Sequence, residues 1–190
     1  MNKIIILTAP SGSGKTSITR HLLKKFPDRL QFSVSAATRK PRGAERDGVD
    51  YYFISEDDFQ QKIQQQAFVE WEMVYEGKYY GTLKAEIQRI WDLQKVPVLD
   101  IDVKGAIHVQ QQYPAGSVMS LFIQPPSVEE LKRRLKSRGT ETEESLQARI
   151  NKAAYELSFS HSFNHVIVNL LLEDACINAE NLVRAFISAD

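Results

Sequence analysis

Cysteine is almost absent from this chain. A single one, Cys176, occurs in 190 residues, which excludes an internal disulfide framework and any zinc site built on several thiolates. Long hydrophobic runs are absent too: the apolar stretch near the amino terminus is too short for a signal-peptide core or a membrane span. Neither charge sign is in excess, since 24 Lys and Arg balance 24 Asp and Glu. No global field therefore attracts nucleic acid or an acidic membrane surface, and no identifiable nucleic-acid-binding motif occurs. There is no internal repeat or long low-complexity tract. Gln64–Gln66 and Gln110–Gln112 read as short solvated helix faces. No His–Asp or Cys–His pair suggests nucleophilic catalysis. His161 and His165 stand four apart without a third ligand or an H-E-x-x-H pattern, so they read as structural. The expectation is a cytoplasmic protein without nucleic-acid or membrane partners, long enough for one domain with a real core.

What is present is concentrated at the start. Lys3-Ile4-Ile5-Ile6-Leu7-Thr8 is a short β-branched run, Ala9-Pro10-Ser11-Gly12-Ser13-Gly14-Lys15-Thr16 follows at once, and a helical pattern then begins. Strand, Gly-rich turn and helix form the context of a phosphate-binding P-loop. Backbone N–H groups of the turn point inward, and the free N–H groups of the helix add positive potential. Ser11, Gly12, Ser13, Gly14, Lys15, Thr16 and Ser17 are thus the candidate ATP-phosphate residues. Lys15 would reach the β- and γ-phosphates, and the Thr16 hydroxyl would ligate Mg²⁺. Ala9 stands where the usual pattern has its first glycine. A dinucleotide-binding turn fails, because Ser17 stands where a third Gly or Ala is needed.

Ile18, Leu22, Leu23 and Phe26 predict an amphipathic helix, and Leu30–Ser35 predicts a strand. Residues 35–82 differ in texture, rich in turn chemistry and aromatic strand residues, with one helix from the Ser55-x-x-Asp58 cap to about Gln66. They read as a β-rich insertion in a parallel α/β core. Helical spacing returns at Leu83, Ile87, Ile90 and Trp91. Val96–Asp102 then predicts a buried strand ending in two carboxylates, beside the first strand, so that an aspartate at its end faces the phosphates and Mg²⁺. After a strand at Ser120–Gln124, capping boxes at Ser127/Glu130 and Thr140/Glu143 open two helices rich in arginine, a pair suited to close over phosphates. The strand Val166–Asn169 and a helix bearing Ala175, Ala179, Leu182, Val183, Phe186 and Ile187 complete the chain.

Taken in order, these segments resemble the guanylate kinase family, which phosphorylates GMP with ATP. The resemblance runs nearly end to end. It rests on Pro10-Ser11-Gly12-x-Gly14-Lys15-Thr16, Ser35-x-x-Thr38-Arg39-x-Pro41-Arg42, Gly48-x-Asp50-Tyr51, Glu70-Trp71, Tyr79-Tyr80-Gly81-Thr82, Leu99-Asp100-Ile101-Asp102 and Arg138-Gly139-Thr140-Glu141-Thr142-Glu143-Glu144. It implies an α/β fold with a P-loop NTPase doubly wound parallel-sheet core (1–34, 83–124 and 150–190), a small β-rich GMP-binding insertion (35–82) and a helical lid (125–149). It further implies that Ser35, Glu70 and Asp102 hold the guanine base. Arg39, Arg42, Tyr51 and Tyr80 would hold the GMP phosphate, with Glu45, Thr82 and Asp100 completing the site. Lys15, Arg39, Arg134, Arg138 and Arg149 would be catalytic, Thr16 and Asp100 would orient Mg²⁺ directly or through water, and Asn169 would lie near the adenine of ATP. Leu170 stands where the family usually has an acid, which leaves contacts to the ATP base at that end open.

The residue types suit these implied roles. Guanine presents N1–H and N2–H₂ as adjacent donors that one carboxylate can accept together, whereas adenine would leave it unpaired. Arginines grip phosphate with charge-assisted, bidentate bonds. The GMP phosphate, with a second pKa of about 6, is already a nucleophile, so in-line transfer needs no general base. The implied partners are ATP and GMP or dGMP, the implied cofactor is Mg²⁺, and the implied state is a monomer or homodimer. An inactive phosphopeptide-binding scaffold of the same fold is the alternative.

Overall fold

The computed structural model describes residues 2–137 and 143–189. Along the chain run β1 (Ile4–Thr8), α1 (Lys15–Lys25), β2 (Leu30–Phe32), β3 (Ala36–Ala37), β4 (Tyr52–Phe53), α2 (Glu56–Gln64), β5 (Phe68–Tyr75) and β6 (Lys78–Leu83). They are followed by α3 (Lys84–Asp92), β7 (Val96–Asp100), α4 (Val103–Gln112), β8 (Val118–Gln124), α5 (Val128–Lys136), α6 (Glu143–Leu157), β9 (His165–Val168) and α7 (Leu172–Ser188).

β1 is buried along its whole length, as a continuous β-branched run in a parallel sheet requires. Its side chains alternate between two layers. Ile5 and Leu7 join Ile18, Leu22, Val183 and Ile187 of α1 and α7, while Ile4 and Ile6 join Ile87 of α3 and Ala106 and Val109 of α4. The sheet order is β2-β7-β1-β8-β9, with every pairing parallel. The chain thus winds outward from β1 in both directions, and the carboxyl end of β1 lies at the switch point where such sheets bind ligands.

A second sheet, β4-β3-β6-β5, is drawn entirely from residues between Ala36 and Leu83. Its small core centres on Phe59 of α2, stacked on Phe68 with ring centroids 4.3 Å apart. Ser55 caps α2 by accepting from the Asp58 N–H at 3.0 Å, as its sequence predicts, and the helix ends at Gln64.

Several expected elements differ in extent. The predicted Leu30–Ser35 strand splits: β2 ends at Phe32, and after Ser35 the chain changes sheets. The strand predicted to reach Asp102 stops at Asp100, because pairing with β1 runs out at Leu7, and Asp102 instead caps α4 by accepting from the Gly105 N–H at 2.8 Å. The Ser127 box is half formed: Ser127 accepts from the Glu130 N–H, but the Glu130 carboxylate is taken by Arg133 and Arg134. Thr140 lies outside the described residues. Gln110 and Gln112 are not merely solvated; Gln110 accepts from Ser120 Oγ at 2.6 Å, and Gln112 donates to the Val69 carbonyl at 2.6 Å. The expected boundary at 149/150 falls inside α6.

Truncating the fully buried Phe59 to Ala should destabilise the protein by about 3 kcal/mol, read from the urea midpoint at unchanged slope.

Candidate active site

The turn after β1 carries the site's first element. Gly14 precedes α1 with φ +97°, a left-handed conformation that only glycine adopts without strain. A Cβ there would also collide with Asn169 Nδ2. That amide donates to the Ser13 carbonyl at 2.7 Å, so Asn169, 3% exposed, supports the turn from beneath. Within the first turn of α1 the Ser17 and Ile18 N–H groups donate back to the Gly14 carbonyl at 3.1 and 3.2 Å, and the start of the helix keeps the positive potential that favours an anion. Lys15 Nζ donates to Asp100 Oδ1 at the end of β7, and this pair joins the turn to the neighbouring strand.

A cavity of about 560 Å³ opens from this turn toward the second sheet. It brings Ser11, Gly12, Gly14, Lys15, Thr16, Ser17 and Asp100 together with Ser35, Tyr51, Glu70, Tyr80 and Asp102. Arg39, Arg42, Glu45 and Thr82 do not line it; Thr82 bonds Glu70 and Arg39 bonds Tyr80, both wall residues. Arg39, 9% exposed, donates to Glu45 through both terminal nitrogens at 2.5 and 2.7 Å and to Tyr80 Oη at 3.1 Å. Its guanidinium lies 4.7 Å from the Tyr51 ring centroid. The Arg39 fork, joined by the Arg42 N–H, holds the Glu45 carboxyl down to about 2. Arg42 itself is exposed.

Glu70 is the site's buried acid. It is 8% exposed, accepts from Thr82 Oγ1 at 2.5 Å, and abuts Gly105 so closely that a Cβ there would lie 2.9 Å from Oε2. Burial pushes its carboxyl up to about 7, against the lowering effect of the Thr82 bond. Glu72 is raised to about 7 as well, chiefly because it shares a hydrogen bond with Asp102 and then by burial. Both carboxyls at this end of the cavity thus lie above the ordinary carboxylate range.

From the arginine-rich helices, Arg149 of α6 donates to Ser11 Oγ at 2.9 Å and lines the cavity. Arg134 of α5 donates to Glu130 at 2.8 Å and to the Asn169 carbonyl at 2.9 Å, beside the turn. Arg138 lies outside the described residues. The sequence reading does not single out Glu72, Lys152, Glu156 or Gly105, though spacing carries a signal for three of them. Glu72 is two residues from Glu70 on one strand face, and Lys152 and Glu156 continue the helix face of Arg149. Gly105 has no such signal, because its role arises from the approach of α4 to β5.

A thiol or imidazole nucleophile is absent from the described cavity wall. Its chemistry is an anion cradle, cations on two sides and a carboxyl-rich recess, an arrangement for aligning phosphates beside a group rich in N–H donors. Among the described residues no cluster of three or more His, Cys, Asp or Glu could hold a metal by itself. The oxygen donors Thr16 and Asp100 fit a hard cation held largely by phosphate oxygens.

The family model described as guanylate kinase matches residues 1–186. The chain is similar to a guanylate kinase of Bacteroides fragilis, 45% identical over 188 residues, covering 99% of this chain and 91% of that one. It is similar to a guanylate kinase of Porphyromonas gingivalis, 44% identical over 169 residues and covering 89% of each. Among solved structures it resembles guanylate kinase from Anaplasma phagocytophilum, with 29% identity and a TM-score of 0.75 over 99% of this chain and 87% of that one.

Ionising Glu70 penalises the folded state. The penalty is nil below the ordinary carboxyl value of 4.5, grows as pH rises, and is complete above about 7. Glu70→Gln should therefore match the parent in stability at pH 4.5 and exceed it by up to about 3 kcal/mol at pH 8, as read from urea unfolding at the two pH values.

Proposed function

The chain belongs to the guanylate kinase family, and we propose that it transfers the γ-phosphoryl group of ATP to GMP or dGMP, giving ADP and GDP, with Mg²⁺ as cofactor. The observation that carries this reading is the single cavity wall shared by the phosphate turn and Glu70. Donor phosphates and a guanine-sized, donor-bearing group can meet in it.

On this reading the loop amides and Lys15 hold the ATP phosphates. Thr16 and Asp100 would hold Mg²⁺, directly or through water, and a bound Mg²⁺ would supply charge neutralisation at the ATP phosphates. Glu70, ionised on binding, accepts from guanine N1–H and N2–H₂, with Ser35 and Asp102 completing the contact. Arg39, Arg42, Tyr51 and Tyr80 hold the acceptor phosphate. For that, Arg39 must share or exchange the Glu45 carboxylate that already fills its fork. The acceptor oxygen attacks in line, without a general base. Arg149, beside Ser11, and Arg134 and Arg138 stabilise the charge spread over the transferring group. The corresponding division is a core of residues 1–34, 83–124 and 150–190, an acceptor-binding insertion of 35–82 and a lid of 125–149.

No helix among the described residues is long and apolar enough to cross a membrane. Turnover is proposed to occur in the cytoplasm, by a monomer or homodimer.

ADP formation from ATP and Mg²⁺ should be strong with GMP and weaker by ~10⁴-fold or more with AMP, CMP or UMP. Equal turnover with AMP would refute the role of Glu70. Silence with every acceptor, in a protein that still binds GMP, would favour a scaffold. Arg149→Ala should lower kcat by about 10²–10³-fold in the same assay, with KM for GMP nearly unchanged.

A further inference from the structure

The second sheet is attached to the core by two stretches of chain. Residues 33–35 lead into it from β2, and β6 passes directly into α3 after Leu83. The Ser33 N–H still donates to the Val98 carbonyl of β7 at 3.0 Å, while the Ser35 carbonyl already accepts from the Tyr52 N–H of β4 at 2.9 Å. Val34 lies between the last bond to one sheet and the first bond to the other.

A buried carboxylate ties these two stretches together. Glu86 stands in the first turn of α3 and is 3% exposed. Its Oε1 accepts from the Val34 N–H at 3.1 Å, and its Oε2 accepts from Tyr52 Oη at 2.8 Å. Arg89, three residues on, donates to both oxygens at 2.8 Å. Burial alone would raise this carboxyl, yet the bonds from Arg89, Val34 and Tyr52 outweigh it and hold the group below its ordinary value. Ile87, the next residue, packs in one cluster with Ile4 and Ile6 of β1, so the carboxylate is carried by a helix seated on the core.

Glu86 does not line the cavity, but the two groups it holds from the entering stretch and from β4 are chain neighbours of residues that do. Val34 precedes Ser35 and Tyr52 follows Tyr51, and both Ser35 and Tyr51 are wall residues. In extended chain, fixing one residue fixes the direction of the next side chain. A buried ion pair adds little net stability over apolar packing of the same volume, so stability alone does not account for one here.

We propose that Glu86, oriented by Arg89, is a positioning residue for the acceptor: it sets Ser35 and Tyr51 relative to the phosphate turn and acts on GMP through them, without touching it. This rests on the assignment of that half of the cavity to GMP made above. Each Glu86 oxygen accepts from two donors, so an amide in place of the carboxylate forfeits two of the four bonds at almost unchanged volume. Misplacing a binding group by about 1 Å from outside the site can cost on the order of 10²-fold.

The experiment measures the Kd for GMP by calorimetry, KM for GMP and ATP, inhibition by inorganic tripolyphosphate, and Tm, in the parent, Glu86→Gln and Tyr52→Phe. Kd and KM for GMP should rise about 10-fold in Glu86→Gln and several-fold in Tyr52→Phe. KM for ATP and the tripolyphosphate inhibition should stay within about twofold of the parent, because the phosphate turn keeps its own supports. A lowered Tm with an unchanged Kd for GMP in the folded variants would overturn the proposal, since a merely structural pair changes the folded fraction and not the affinity. Equal weakening of GMP and ATP would overturn it too, as a general loosening of the core. Should Glu86→Gln fail to fold, Tyr52→Phe, which removes one hydroxyl and keeps the ring, decides alone. A parent that binds no GMP removes the underlying reading, an outcome separate from any difference between parent and variants.

Discussion

Leu7 stands opposite Asp100 in the parallel pairing of β1 and β7, and the site depends on that register. It sets the last residue of β7 level with the turn that leaves β1, close enough for Lys15 to donate to Asp100. A slip of one residue would turn Asp100 to the other face and bury its charge in the aliphatic layer. The register is fixed by burial: β1 lies between two layers, and each of its alternating side chains has a different cluster to fill. Hydrophobic alternation in a five-residue strand thus fixes the position of a carboxylate outside it.

The recess across the cavity is held by the opposite device. There a four-stranded sheet with a small core brings Glu70 against Gly105 and beneath Thr82, where water cannot compensate the charge. The protein holds this acid by the Thr82 hydroxyl and backbone and by steric enclosure, with no salt bridge among the described residues. The buried Arg39 is committed elsewhere, to Glu45. Cation and acid are therefore kept apart, each with its own partner.

Much of this was legible in the sequence because the signals are local. Gly14-Lys15-Thr16 after a β-branched run, Ser55 three residues before Asp58, and Ser127 before Glu130 are statements about neighbouring N–H groups, and short-range spacing suffices to read them. The second sheet was legible as a change of texture. What spacing could not reveal was where ladders stop. Val96–Asp102 is uniformly strand-like, yet β7 ends where its pairing with β1 runs out, and Asp102 changes from a strand carboxylate into the cap of α4. Likewise nothing in Leu30–Ser35 marks the passage from one sheet to the other. Gln112 reads as solvated because only the folded chain brings the Val69 carbonyl within its reach. Glu130 completes no box because two arginines, three and four positions further along the helix, compete for it more strongly.

The continuity of α6 carries a mechanical consequence. Its 15 residues begin beside the end of α5, and both Leu146 and Ala153 lie in the small cluster it shares with Leu131 and Leu135 of that helix. A helix of this length acts as a lever about any point at which it is held, and Ala153, 1% exposed, is one such point. A tilt of about ten degrees there would sweep the Glu143 tip, roughly 15 Å away, through about 3 Å, yet displace the backbone of Arg149, one turn from the pivot, by only about 1 Å. A pivot there would swing the far end of the helix by the width of a water molecule while its guanidinium stayed over the phosphate turn.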